Sequence, residues 1–223
     1  MSNNYVRLSG LIGISAVVCF FMGFIVDPTP PPAGASASTV LDHAVRYATN
    51  DRVAAFVFAL GAAASLAFVA GLRQWLDMFG AERWLTTSML TGAVTSASVI
   101  ITTSVVWFTL ASDAAIVATV ATTLSDVVNY GFVFAGFGIL LLVACASACM
   151  LSIGGPFLYL GRFGAVVSAL LVAYVLTAFF TSGPFGAGQA VTIIGFSVAA
   201  LWILFASLSM LWFARLAAAA ARA

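Results

Sequence analysis

Along this chain, long apolar runs alternate with short polar stretches. A bilayer core about 30 Å thick is crossed by about 20 apolar residues of helix. Six runs are long enough: Ser9–Val26, Val53–Leu72, Thr86–Ala111, Gly131–Ser152, Phe163–Thr181 and Thr192–Leu216. They are continuous, whereas the strands of a membrane barrel alternate over about ten residues. The pattern predicts an all-α, polytopic, multi-pass membrane protein: a six-transmembrane-helix bundle forming a single membrane domain over residues 1–223.

Two of the polar stretches, 27–52 and 112–130, are long enough to carry structure of their own. In the first, Pro28 and Pro30–Pro32 cannot continue a helix, so the chain is extended through Ala37. Ser38 or Thr39 can then cap a short helix with Leu41, Ala44, Val45 and Ala48 on one side and Asp42 and Arg46 on another. In the second, Ser112 is the candidate cap, and Ile116, Val120, Leu124 and Val127 make an apolar stripe. Both helices are expected on the outer face, in the interface or folded back over the bundle, each running directly into a span.

A possible repeat links these regions. FVFA occurs at 56–59 and again at 132–135, and GAV at 92–94 and 164–166. Spans two-three and four-five are then duplicated hairpins. The alternative is coincidence in a chain built largely of Ala, Val, Phe and Gly.

Composition adds the reason for the membrane class. Hydrophobic residues make up 63% of the chain and charged residues 7%, against about 25% charged in soluble domains. A surface this poor in charge must face lipid. Arginine placement gives orientation. With the N-terminus inside, Arg7, Arg73, Arg83, Arg162, Arg215 and Arg222 are cytoplasmic, and only Arg46 and Arg52 are outside. Both termini are therefore expected on the cytoplasmic side of the cell membrane. The first run, followed by AGASAS, also resembles a secretory leader. It is longer than a leader's usual apolar core of about 7–15 residues, and three prolines intervene, so it is expected to remain as a span. No basic face is clustered as a nucleic-acid partner would require.

The third span is unusual. Of the 27 residues from Thr86 to Ser112, 12 are Ser or Thr. Thr91, Thr95, Ser98, Thr102 and Thr109 recur at steps of four, three, four and seven residues, the spacing of a helix-pairing seam. In lipid, helices associate through close packing of small residues and interhelical hydrogen bonds. A hydroxyl can also satisfy itself on its own i−4 carbonyl. The stripe Thr91, Thr95, Ser98 and Thr102 is thus either a packing seam or the lining of a solute path. Rows of alanine at 59, 63 and 67 and at 144 and 148 suit helix contacts. Trp75, Trp84, Trp107 and Trp212 suit an interfacial belt, with Trp202 deeper and packed.

Candidate chemistry is sparse. One histidine, no lysine and three cysteines within apolar runs leave no haem pair, Schiff base or disulfide framework, and no converging set of metal ligands is apparent. No acid or base lies in the middle of a span, which argues against a proton-driven pump. No catalytic residue, cofactor or metal is expected, and the protein reads as non-enzymatic. The main polar group is on the outer side: Asp42, His43, Arg46, Asp51, Arg52, Asp126 and Asn129. It is a set of solvated loop charges or a recognition rim.

The short first span, the proline-rich loop, the hairpin DRVAAFVFALGAAASLAFVAGLRQWL and its arginine-bearing turn together resemble uncharacterised six-span integral membrane proteins of the actinobacterial type. The resemblance is one of layout, and it transfers no activity. The leading expectation is an accessory or assembly subunit of a larger membrane complex, embedded in the lipid bilayer with a membrane-protein partner or as a homo-oligomer. The alternative is a small-solute or lipid binding or transport module, with a Ser/Thr-lined path and the glycines of SGPFGAGQ at the turn before span six. A lipid-modifying enzyme acting at the outer rim is a third.

Overall fold

A computed structural model describes residues 3–27, 30–113, 116–180 and 190–220. The described chain is all-α: α1 (Asn3–Val26), α2 (Ala37–Arg46), α3 (Ala48–Asp77), α4 (Arg83–Leu110), α5 (Ala118–Ile153), α6 (Leu158–Leu176) and α7 (Ala190–Ala220). Short 3-10 turns at Gly155–Phe157 and Thr177–Phe179 flank α6. All but α2 are long and apolar enough to cross a membrane.

Most of these helices outrun the apolar segments that announce them. α3 starts at Ala48 rather than Val53, and α5 at Ala118 rather than Gly131. Hydropathy marks where side chains leave lipid, whereas the backbone keeps its i−4 bonds well beyond that point. In the second polar segment the helix passes into the span without a break, as the first turns of α5. In the first, α2 is separated from α3 by Tyr47 alone.

The six long helices pack in chain order and close on themselves: α1 on α3, α3 on α4, α4 on α5, α5 on α6, α6 on α7, and α7 back on α1. α2 lies across one end of this ring, against α5 and α3. That end carries His43 and is called the histidine end. The opposite end carries Arg73, Arg83, Arg162 and Arg215 and is called the arginine end.

Small residues let the ring close. A methyl group on Gly92 would stand 2.6 Å from the carbonyl oxygen of Gly138, and one on Gly138 would stand 2.5 Å from the amide nitrogen of Ser96. The α4 and α5 backbones therefore touch. Gly10 and Gly13 of α1 meet Ser207 of α7, and Gly71 of α3 meets Ser9 of α1. The buried Tyr174 hydroxyl donates to the Phe132 carbonyl at 2.5 Å and ties α6 to α5. At the arginine end Trp75, Phe79, Phe157 and Phe213 pack with ring centroids as close as 4.8 Å and plug the ring.

Five details differ from the sequence expectation. Ser36, not Ser38 or Thr39, caps α2, accepting the amide of Thr39. Its buried side centres on Val40, and Val45 points out, because α2 lies on the bundle by the face that also carries His43. Ser112 closes α4 through the Phe108 carbonyl instead of opening a helix. At the start of α5, Ala121, Ser125 and Val128 face inward while Val120 and Val127 face out, since large apolar side chains are at no disadvantage in lipid and small ones permit contact. Of the tryptophans, Trp84 and Trp212 are exposed as a belt requires, Trp75 and Trp107 turn into the bundle, and Trp202 is fully buried.

Replacing Gly138 with Val drives side-chain atoms into the α4 backbone, and neither backbone can move without opening the ring. Overpacking of this kind costs about 1–3 kcal/mol. Thermal unfolding in detergent is expected to show a lowered midpoint for Gly138→Val. Enlarging the exposed Val94 to Leu is expected to leave it unchanged.

Candidate functional site: a capped cavity at the histidine end

Three segments meet at this end. α1 stops at Val26, just ahead of the prolines, and its last carbonyl accepts 2.8 Å from the Asn50 side chain in α3. The carboxylate of Asp27 is thereby fixed at the mouth of the ring. α3 contributes Asp51 from its first turn, and α2, lying across the opening, contributes His43.

These three side chains converge. His43 Nε2 stands 3.3 Å from Asp51 Oδ1 and 3.5 Å from Asp27 Oδ1. The side chains of Asp27, Asp51 and His43 are 1%, 4% and 11% exposed. The Tyr47 ring packs beside the imidazole at 4.9 Å. The second oxygen of Asp27 is buried without a hydrogen-bond partner. Burial alone would lower the His43 pKa; its hydrogen bonds to Asp27 and Asp51 and their charges outweigh that and push it up to about 9.

Next to the cluster is a cavity of about 460 Å³. Its deep wall is aromatic: Phe24, Phe58, Trp107, Phe132 and Phe196, in mutual contact at centroid distances of 5.1–6.2 Å. Its cover is the proline segment 30–32 together with α2. The cover is pinned to α5. Asp126 accepts the Gly34 amide at 2.8 Å, and the Asn129 side chain donates to the Pro31 carbonyl at 3.0 Å. Thr192 of α7 lines the cavity, and its buried hydroxyl has no partner. A second, much smaller void of about 40 Å³ lies among Ala62, Ala97 and Ala200, and Phe196 borders both.

The residues singled out from sequence are dispersed differently. Of the rim, His43 enters the cluster, and Asp126 and Asn129 become the pins of the cover. Asp42 and Arg46 are exposed on α2. Arg52 bonds back to its own helix at the Ala48 carbonyl. The hydroxyls Thr91, Thr95, Ser98 and Thr102 all stand on the exposed side of α4, away from the cavity. Thr91 and Thr109 donate to their own i−4 carbonyls. The hydroxyls turned inward, Thr86, Ser96, Thr103 and Ser104, are off that stripe. The glycines of SGPFGAGQ lie outside the described residues.

Asp27 was missed as a site residue, and with it the convergence of Asp27, His43 and Asp51, whose ligand atoms lie within 4.8 Å of one another. Three separate segments supply this set, so no one stretch of the sequence displays it. The available signal was an acid directly after an apolar run and another directly before one. Those positions put both carboxylates at the same end of neighbouring helices.

No protein-family model matches this chain, and no curated protein or solved structure matches it either. It is a six-span, all-helical, multi-pass protein of the cell membrane.

The raised His43 pKa sets a pH dependence. A group protonated more readily in the folded state stabilises the fold fully below its unfolded value of about 6.5 and loses that contribution as pH rises through about 9. In protein freed of metal with EDTA, the thermal midpoint is therefore expected to fall across that window. In His43→Gln, which keeps a polar side chain without the titration, the slope is expected to flatten. A wild-type midpoint that stays level across the window would count against the clustered geometry.

Proposed function

We propose that this protein is a non-enzymatic membrane binding module whose histidine-end cavity takes a small amphiphilic molecule, a lipid or a largely apolar solute. One observation carries the reading. The closed ring has a cavity of about 460 Å³ at one end, with an aromatic floor and a single buried polar cluster on its wall. Small-molecule sites have this character: a concave apolar volume of about 300–1,000 Å³ with a few convergent polar groups. The apolar part of the ligand rests on Phe58, Trp107 and Phe196, and its polar end meets the cluster and the unpaired Thr192 hydroxyl.

The aromatic plug at the arginine end favours binding over open conduction. The arginines gathered there favour a cytoplasmic arginine end, with both termini inside and the cavity facing out. This layout also suits the actinobacterial six-span type. A second reading, an accessory or assembly subunit, has one specific support. The exposed hydroxyl stripe of α4 offers small polar groups to the lipid side, where another membrane helix can hydrogen-bond to them.

Native mass spectrometry of the full chain, released from mild detergent, separates these readings. Wild-type protein is expected to carry a co-purified small molecule that Thr192→Phe, which fills the cavity from α7, excludes. Bare wild-type protein would count against the binding reading. A tightly held second polypeptide, lost on Thr95→Leu with Ser98→Leu, would favour the accessory reading instead.

A further inference from the structure

We propose that Asp27, His43 and Asp51 form a binding site for a divalent transition-metal cation, Zn²⁺ by the chemistry of the donors. Zn²⁺ binds both imidazole nitrogen and carboxylate oxygen, the two donor types present here. The three donors come from α1's end, α2 and α3, so the fold itself assembles them.

The spacing of the donors also suits a shared ion. Separations of 3.3 and 3.5 Å are long for N–H···O contacts involving a charged partner, which favour about 2.7–2.9 Å. A tetrahedral ion with bonds of about 2.0–2.1 Å holds its ligand atoms about 3.4 Å apart. The His–Asp distances match that edge. The cluster is also short of positive charge. Two buried carboxylates face one imidazole, and among the described residues their ion pairs are with His43. The Arg52 guanidinium, one residue away, is turned to the Ala48 carbonyl and Thr49 hydroxyl. A buried charge without compensation is costly.

An independent observation points the same way. Asp27 Oδ2, on a side chain 1% exposed, receives no hydrogen bond from a protein donor, although Asp27 lines the cavity. A cation at the cluster gives the Asp27 carboxylate a compensating charge. Three protein donors leave a fourth position free, as in zinc sites that accept an exogenous ligand. The inference rests on the binding reading only in assigning that fourth position to the molecule held in the cavity.

The test uses full-length protein in detergent, stripped with EDTA and titrated with Zn²⁺ by calorimetry. Saturable binding at one ion per chain is expected, with a rise in thermal midpoint. Asp51→Asn and His43→Ala are each expected to weaken it at least tenfold, while Asp42→Asn on the exposed side of α2 leaves it intact. Circular dichroism and a monodisperse elution profile establish that each variant is folded. A readout on the wild-type chain alone guards against misfolded variants. Mn²⁺ substituted at the site is expected to show a ¹⁴N coupling from the imidazole in pulsed electron paramagnetic resonance. Absence of saturable binding, binding indifferent to His43→Ala, or a Mn²⁺ signal without nitrogen coupling would each overturn the proposal. Thr192→Phe keeps this failure distinct from that of the binding reading: it is expected to expel the co-purified molecule and leave the Zn²⁺ isotherm in place.

Discussion

Inside a bilayer, apolar side chains gain nothing by leaving lipid for one another, so helices must be held by contact too close for lipid to enter. The architecture follows from that constraint. Gly92 and Gly138 let two backbones touch, Gly10 brings α1 against the α7 backbone, and Gly13 and Gly71 make room for serine side chains of α7 and α1. With each span on its neighbour and α7 back on α1, the six close into a ring instead of spreading as a row. A ring has an inside, and whether that inside is filled differs between the two ends. Trp75, Phe79, Phe157 and Phe213 fill it at one end. At the other the aromatic residues stop short and leave room.

The histidine end resolves a conflict between two requirements. Helix ends must satisfy their last carbonyls, and the chain must turn back across the mouth of the ring. Asn50 meets the first requirement on Val26. The second brings α2 over the opening and presses its only histidine between two carboxylates. The polar cluster is thus a product of the same local geometry that caps the cavity, and polar wall and apolar floor belong to one site.

The sequence disclosed the fold more fully than the site. Continuous apolar runs are a strong signal because lipid imposes the same demand on every span, and all six were legible to within a few turns. Helix phase was less legible. In a soluble protein the apolar side of a helix points inward, but here Val45, Val120 and Val127 point outward while Ala121 and Ser125 pack. The hydroxyls of α4 illustrate the same weakness: Ser and Thr lie on both sides of the helix, and only the packing against α3 and α5 separates them. The cluster was the least legible, because Asp27, His43 and Asp51 belong to three elements and nothing local in any of them signals the others.

The cover over the cavity has a mechanical property of its own. Pro30, Pro31 and Pro32 have fixed φ angles, so this strap is stiff. It must swing as a stiff piece, and two fastenings on α5, at Gly34 and Pro31, hold it down. Lifting the strap from the opening therefore requires both fastenings to be broken, so the cover behaves as one latched piece rather than as a loose loop.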